Sequence, residues 1–201
     1  MLIIAFGATA AAILVPFPAD AFGPRDYPKW ALAKNISAAS TNRLTISPAG
    51  RIEECTNLHI EGDPVLANDV CRMLTRKKLP SPTLRDGRKV YAFVESHIWF
   101  TLPETAEGRR IESLRPAPDA EISVQAIPAG LSPDIAIHLA FDADGKVTDC
   151  APATSEADLA LTDIACGQRA LFDNVIRKDP AGQPVAYVTR KRIRFVVAGA
   201  E

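Results

Sequence analysis

Four cysteines are the residues in this 201-residue chain best suited to chemistry: Cys55, Cys71, Cys150 and Cys166. Four thiols make either two disulfides or one structural zinc site. Zinc sites favour pairs with about two to four intervening residues, and no such pair occurs here. Cys71 instead follows Cys55 by 16 positions, and Cys166 follows Cys150 by the same 16.

The other reactive side chains do not assemble into a motif. His59, His97 and His138 fall on or beside predicted strands, grouped neither with one another nor with the cysteines. Asp142 to Gly145 reads DADG, part of a calcium loop, but the loop's closing glutamate is missing, and a hairpin turn accounts for it. Glu53 and Glu54 are adjacent, so on a strand they point to opposite faces and cannot share a substrate. There is no nucleophile elbow, P-loop or dinucleotide fingerprint. The expectation is a protein without catalytic, cofactor-binding or metal-binding residues, and without a cofactor.

The net charge of -1 and 47% hydrophobic content describe an ordinary globular chain, not an electrostatic nucleic-acid binder. Leu2 to Phe17 is uncharged and almost wholly apolar, and Ala19-Asp20-Ala21 has the small-x-small form of a leader cleavage site. Residues 1–21 therefore read as an export leader cut after Ala21, leaving no stable transmembrane anchor. The alternative is an uncleaved segment tethering the chain to the inner membrane. Export selects disulfides over zinc.

The cysteine spacing belongs to a longer repeat. At an offset of 95, Leu44–Phe100 aligns without a gap with Leu139–Phe195. Eleven positions are identical, among them both cysteines, Gly50/Gly145, Gly87/Gly182, Val90/Val185, Ile98/Ile193 and Phe100/Phe195. Chance would supply roughly three or four. The repeat selects Cys55–Cys71 and Cys150–Cys166, and closing each loop stabilises by about 3 kcal/mol.

Each copy has the same predicted anatomy. A hairpin comes first: Leu44–Ser47 and Arg51–Leu58 in one copy, Ile135–Phe141 and a strand from Val147 in the other. A helix follows, capped by Asp63 with Pro64 at its first position, or by Asp158. Leu66, Val70 and Leu74 form one apolar stripe; Leu161, Ala165, Gln168 and Phe172 form the other. A long strand closes each copy after Gly87 or Gly182. The fold class is α+β, two tandem β-β-α-β lobes, each an antiparallel sheet with one packed helix. The divisions are 22–102 for the first lobe, 103–122 for a linker without regular elements, and 123–201 for the second.

Two surfaces are candidates for partner binding. Tyr91, Phe93 and Trp99 lie on the outer face of the first closing strand, where so apolar a surface needs cover. The other lobe, the linker or the segment around Trp30 is the first choice; a partner protein is the second. Arg190, Arg192 and Arg194 lie on the outer face of the second closing strand. They suit an anionic partner, or simply keep an edge strand soluble.

These residues together resemble the TonB C-terminal domain family. The motifs are Tyr27-Pro28 ahead of the first strand, DADGKV at Asp142–Val147, SEADLALTD at Ser155–Asp163, and the closing strands GRKVYAFVESHIWF and GQPVAYVTRKRIRF. The resemblance covers about 150 residues, counting both copies. It implies a periplasmic module whose terminal edge strand pairs with a short peptide of an outer-membrane receptor, or with another envelope protein. The 16 prolines are scattered rather than massed into a periplasm-spanning spacer. The expected function is peptide or protein binding by edge-strand pairing, linked to transport across the outer membrane. The alternative is a structural envelope protein that binds peptidoglycan or another anionic surface polymer.

Overall fold

The computed structural model describes residues 12–154 and 158–198; the first 11 residues of the proposed leader lie outside them. The chain is α+β. In the first repeat, β1 (Ala38–Ile46) and β2 (Ile52–Gly62) form a hairpin, α2 (Pro64–Leu74) follows, and β3 (Tyr91–Phe100) closes the unit. The second repeat runs through β5 (Asp134–Phe141), β6 (Val147–Pro152), α4 (Leu159–Gly167) and β7 (Tyr187–Val197). A short helix, α1 (Lys29–Ala33), precedes the first repeat.

Local chemistry explains these boundaries. Asp63 and Asp158 each accept a backbone N–H three residues on, from Leu66 at 2.9 Å and Leu161 at 2.7 Å, which starts the two helices. In the second hairpin turn, Asp142 accepts from the N–H groups of Asp144 and Lys146. The turn closes on Gly145 at φ +81, a left-handed conformation that side chains resist. α4 stops at Gly167, and Arg169–Phe172 continues as a 3-10 turn. The predicted helical stripe therefore ends before Gln168 and Phe172, because a glycine in the last turn weakens the helix.

Both disulfides have the expected pairing. Cys55 of β2 bonds Cys71 of α2 with Cα atoms 5.6 Å apart, and Cys150 of β6 bonds Cys166 of α4 at 5.7 Å. Each helix is tied to the outer strand of its own hairpin.

The stretch expected to be a linker without elements contains two: α3 (Ala106–Ser113) and β4 (Ala120–Val124). α3 has one core residue, Ile111, 1% exposed, so it has no periodicity to detect. It is held by a Thr105 cap and by Arg110, which bridges Glu107 at 2.8 Å and Glu61 at 3.3 Å. β4 is five residues long and pairs in parallel with β7.

The repeats join into one seven-stranded sheet in the order β2-β1-β3-β7-β5-β6, with β4 also on β7. Their junction is a short parallel pairing of Tyr91 with Tyr187 and Ala92 with Val188. This register differs by one residue from the repeat offset, and a one-residue slip exchanges the two faces of a strand. Ala92, which faces the first core, thus lies beside Val188 on the back of the second repeat. The helices α2 and α4 consequently cover opposite faces of the sheet.

Two hydrophobic clusters result. The first contains Leu44, Leu66, Val70, Ile98 and Phe100, and reaches across the junction to Ala140, Ala151 and Val188. The second contains Ile122, Leu139, Phe141, Leu161, Tyr187 and Phe195, with Tyr91 and Phe93 packed against it. Among the described residues no helix is long and apolar enough to cross a membrane.

Candidate peptide-binding edge

The closing strands were expected to end their sheets as free edges. β7 does not: β5 runs along one side, and β3 and then β4 occupy the other. β3 differs. β1 pairs along its whole length, but its other side has no strand beyond Ala92 among the described residues. The Phe93 carbonyl accepts the Thr189 hydroxyl at 2.6 Å, so the open stretch begins at Val94.

The two closing strands report on each other through the repeat. β4 pairs with Ile193–Val197 of β7. Shifted by the repeat offset, those positions are Ile98–Leu102, the last part of β3 and the turn beyond it. A groove of about 270 Å³ borders this open edge. Phe22, Tyr27, His97, Trp99 and Phe100 line it. Ile122 of β4, 2% exposed, stands in register with Phe195. Its repeat counterpart is Tyr27, which packs edge-on against Phe100 at 5.2 Å. Phe22 meets the same ring at 5.6 Å. The side-chain contact therefore recurs in the first repeat, but the backbone there turns through a 3-10 segment, Pro24–Asp26, and adds no strand.

The groove wall is firmly held. The Tyr27 hydroxyl donates to the Ile36 carbonyl at 2.6 Å, and burial pushes its pKa up. Lys77 lies 2.6 Å from Asp26, and its hydrogen bond, with that of the Gly23 N–H, holds the Asp26 carboxyl below the usual range. Trp99 is half exposed, 5.4 Å from the His97 ring. Burial is the main cause lowering the His97 pKa, with Arg192, His59 and Arg115 adding to it.

The histidines were expected to stand apart, but β1 brings two of them into one row. Thr41 is opposite His59 on one side and His97 on the other. His59 bonds Glu61 at 2.9 Å, and Thr41 bonds His97 at 3.1 Å. His138 is remote, buried on β5.

The six candidate partner residues separate into different environments. Phe93 meets Tyr187 edge-on at 5.3 Å and lies under the Arg177 guanidinium, while Tyr91 stacks on Phe93. Their cover is the other repeat. Only Trp99 of the aromatic set reaches the open groove. Arg190 lies over the Phe17 ring at 4.3 Å, and burial lowers its pKa. Arg192 approaches Asp119, whose other contacts are the Arg192 N–H at 2.7 Å and Lys191 at 3.1 Å. Arg194 bridges Asp134 at 2.8 Å. With Arg115, and with Asp134 and Asp158 on its wall, these three arginines line a cleft of about 580 Å³ on the back of the second repeat.

Sequence reasoning missed β4, although Ala120, Ile122 and Val124 do alternate. Ile13 and Val15, expected within the leader, are buried in the first hydrophobic cluster. No family model, no curated protein and no solved structure matches this chain.

Proposed function

We propose that this chain is a non-enzymatic binding module of the bacterial envelope, exported to the periplasm, that captures an extended peptide by strand addition along β3 from Val94 to Phe100. One observation carries the reading. The chain already adds a strand, β4, to the equivalent edge of its second repeat, while the corresponding edge of the first has no strand partner among the described residues and borders a groove. Unpaired N–H and C=O groups bind any extended backbone, and flanking pockets select alternate side chains. β4 supplies a template: parallel, with one buried apolar residue, Ile122, between two partly buried ones.

The resemblance to the TonB C-terminal domain family and the two disulfides support an envelope setting. They make the exposed segment of an outer-membrane receptor the leading ligand, and so link the module to transport across that membrane. The arginine-lined cleft on the second repeat favours a second reading, binding of an anionic surface polymer such as peptidoglycan.

A photo-crosslinking residue in place of Trp99 tests the first reading in detergent-solubilised outer membrane. It should capture a short segment of a receptor, and Phe22→Asp should reduce capture at least tenfold. Absence of capture by a chain with both disulfides intact would sink strand addition. Retention on isolated sacculi, abolished by Arg192→Glu with Arg194→Glu, would establish the second reading instead.

A further inference from the structure

The segment Ile13–Phe17 lies in a groove between the two repeats and touches both. Leu14 makes an antiparallel bridge with Thr83 of the first repeat: its N–H donates to the Thr83 carbonyl at 3.0 Å, and its carbonyl accepts the Thr83 N–H at 3.1 Å. Ile13 and Val15 point the other way and are 3% and 5% exposed. They join a cluster that includes Leu79, Leu84 and Val90 of the first repeat and Ala140, Ala151 and Val188 of the second. His138 lies on that second-repeat surface, with Nδ1 3.3 Å from the Ile13 carbonyl oxygen. Two residues past Val15, Phe17 lies against the Arg190 guanidinium at 4.3 Å.

This is how a bound extended peptide is recognised: a backbone pair for its main chain, two apolar sockets for alternate side chains, and a cation over an aromatic ring. The occupant is a continuous apolar run that precedes both repeats in sequence. Among the described residues, the backbone of this segment bonds the repeats at Thr83 and at the His138 side chain.

We propose that the groove between the repeats is a binding site for an extended apolar peptide with an aromatic residue four places after its first buried side chain, and that the chain's own Ile13–Phe17 segment fills it in cis. The site is separate from the β3 edge. A leader cut after Ala21 would remove the cis segment and leave the groove open to such a peptide in trans.

The probe is a fluorescein-labelled peptide of residues 12–21, AILVPFPADA. It is titrated against the full chain and against the full chain carrying Ile13→Asp and Val15→Asp, which expel the segment. The double variant should bind at least tenfold more tightly than the unaltered chain. A peptide with alanine in place of Phe17 should bind at least fivefold more weakly. Equal binding by the two chains overturns the proposal. So does absence of binding by a double variant that keeps both disulfides and its far-ultraviolet spectrum.

A second arm needs no variant. Excess unlabelled peptide added to the unaltered chain should speed amide exchange at Leu14 while Thr83 stays protected. Unchanged exchange at Leu14 under saturating peptide would mean that the segment is an ordinary part of the core.

Discussion

The fold opposes a charge on His138. Burial pushes its imidazole down to about 4, from an ordinary 6.5; the Ile13 carbonyl favours the proton, and the Arg190 charge disfavours it. Nε2 has no hydrogen-bond partner among the described residues. The unfolded chain thus takes up a proton near pH 6.5 that the folded chain refuses until about pH 4. Between those values the unfolded state holds more protons, so stability falls as pH falls, by on the order of 3 kcal/mol. Above pH 6.5 the residue contributes no slope. Asp26, Glu61 and Glu107, whose pKa values are lowered by hydrogen bonds from Lys77, from His59 and Arg110, and from Arg110 respectively, act in the same direction but only in the more acid range. Denaturant titrations from pH 7 to 4 should show this loss, and His138→Gln should reduce the slope between pH 6.5 and 4, leaving the part contributed by His97, whose pKa burial also lowers. An unchanged slope in that variant would place the pH dependence elsewhere.

At the scale of elements, the disulfides decide how firmly each helix is seated. α2 buries Leu66, Val70 and Leu74 against β1 and β2. α4 is shorter and buries Leu161 and Ala165. Each cross-link closes a loop of about 15 residues, worth about 3 kcal/mol through the unfolded state. Replacing Cys150 and Cys166 with alanine should therefore cost about 3 kcal/mol, measured by urea unfolding under oxidising conditions. Adding reductant should then lower stability by a similar further step, through Cys55–Cys71. A double variant as stable as the unaltered chain would show that packing alone seats α4. These elements were legible because their signals are local: the capping aspartates, the turn glycines and the apolar stripes lie within a few residues of what they control. α3 was not legible, and β4 showed only a three-position alternation. The one buried residue of α3 has no periodic companions, and β4 is a strand only because β7 offers it an edge.

The whole molecule is held across its middle by aromatic packing more than by strand hydrogen bonds, since β3 and β7 pair at only two positions. Phe93 spans the gap to Tyr187, which in turn stacks on Phe141 at 4.5 Å. On the other face, Arg85 reaches from the first repeat to Asp149 of the second at 2.7 Å. Phe93→Ala removes the aromatic bridge and leaves the backbone register unchanged. It should cost about 3 kcal/mol, and calorimetry should show the single transition broadening or splitting as the repeats uncouple. A sharp single transition at the original temperature would show that the joined sheet suffices. The candidate site belongs to this scale too. Trp99 was identified from its place on an outer strand face, and Tyr27 from the resemblance, but their meeting in one groove depends on the path of the chain before β1. The sequence by itself determined the repeat and the disulfide pairing, from residues matched at a fixed offset, and the order of elements and caps in each copy, because those follow from side chains acting over short separations. Only the tertiary structure decided that the copies share one sheet with a one-residue slip, that β4 closes one edge while β3 stays open, and that Ile13–Phe17 lies between the repeats. Those outcomes depend on backbone groups that are the same at every residue, and on which surfaces remain to be covered once both copies have folded.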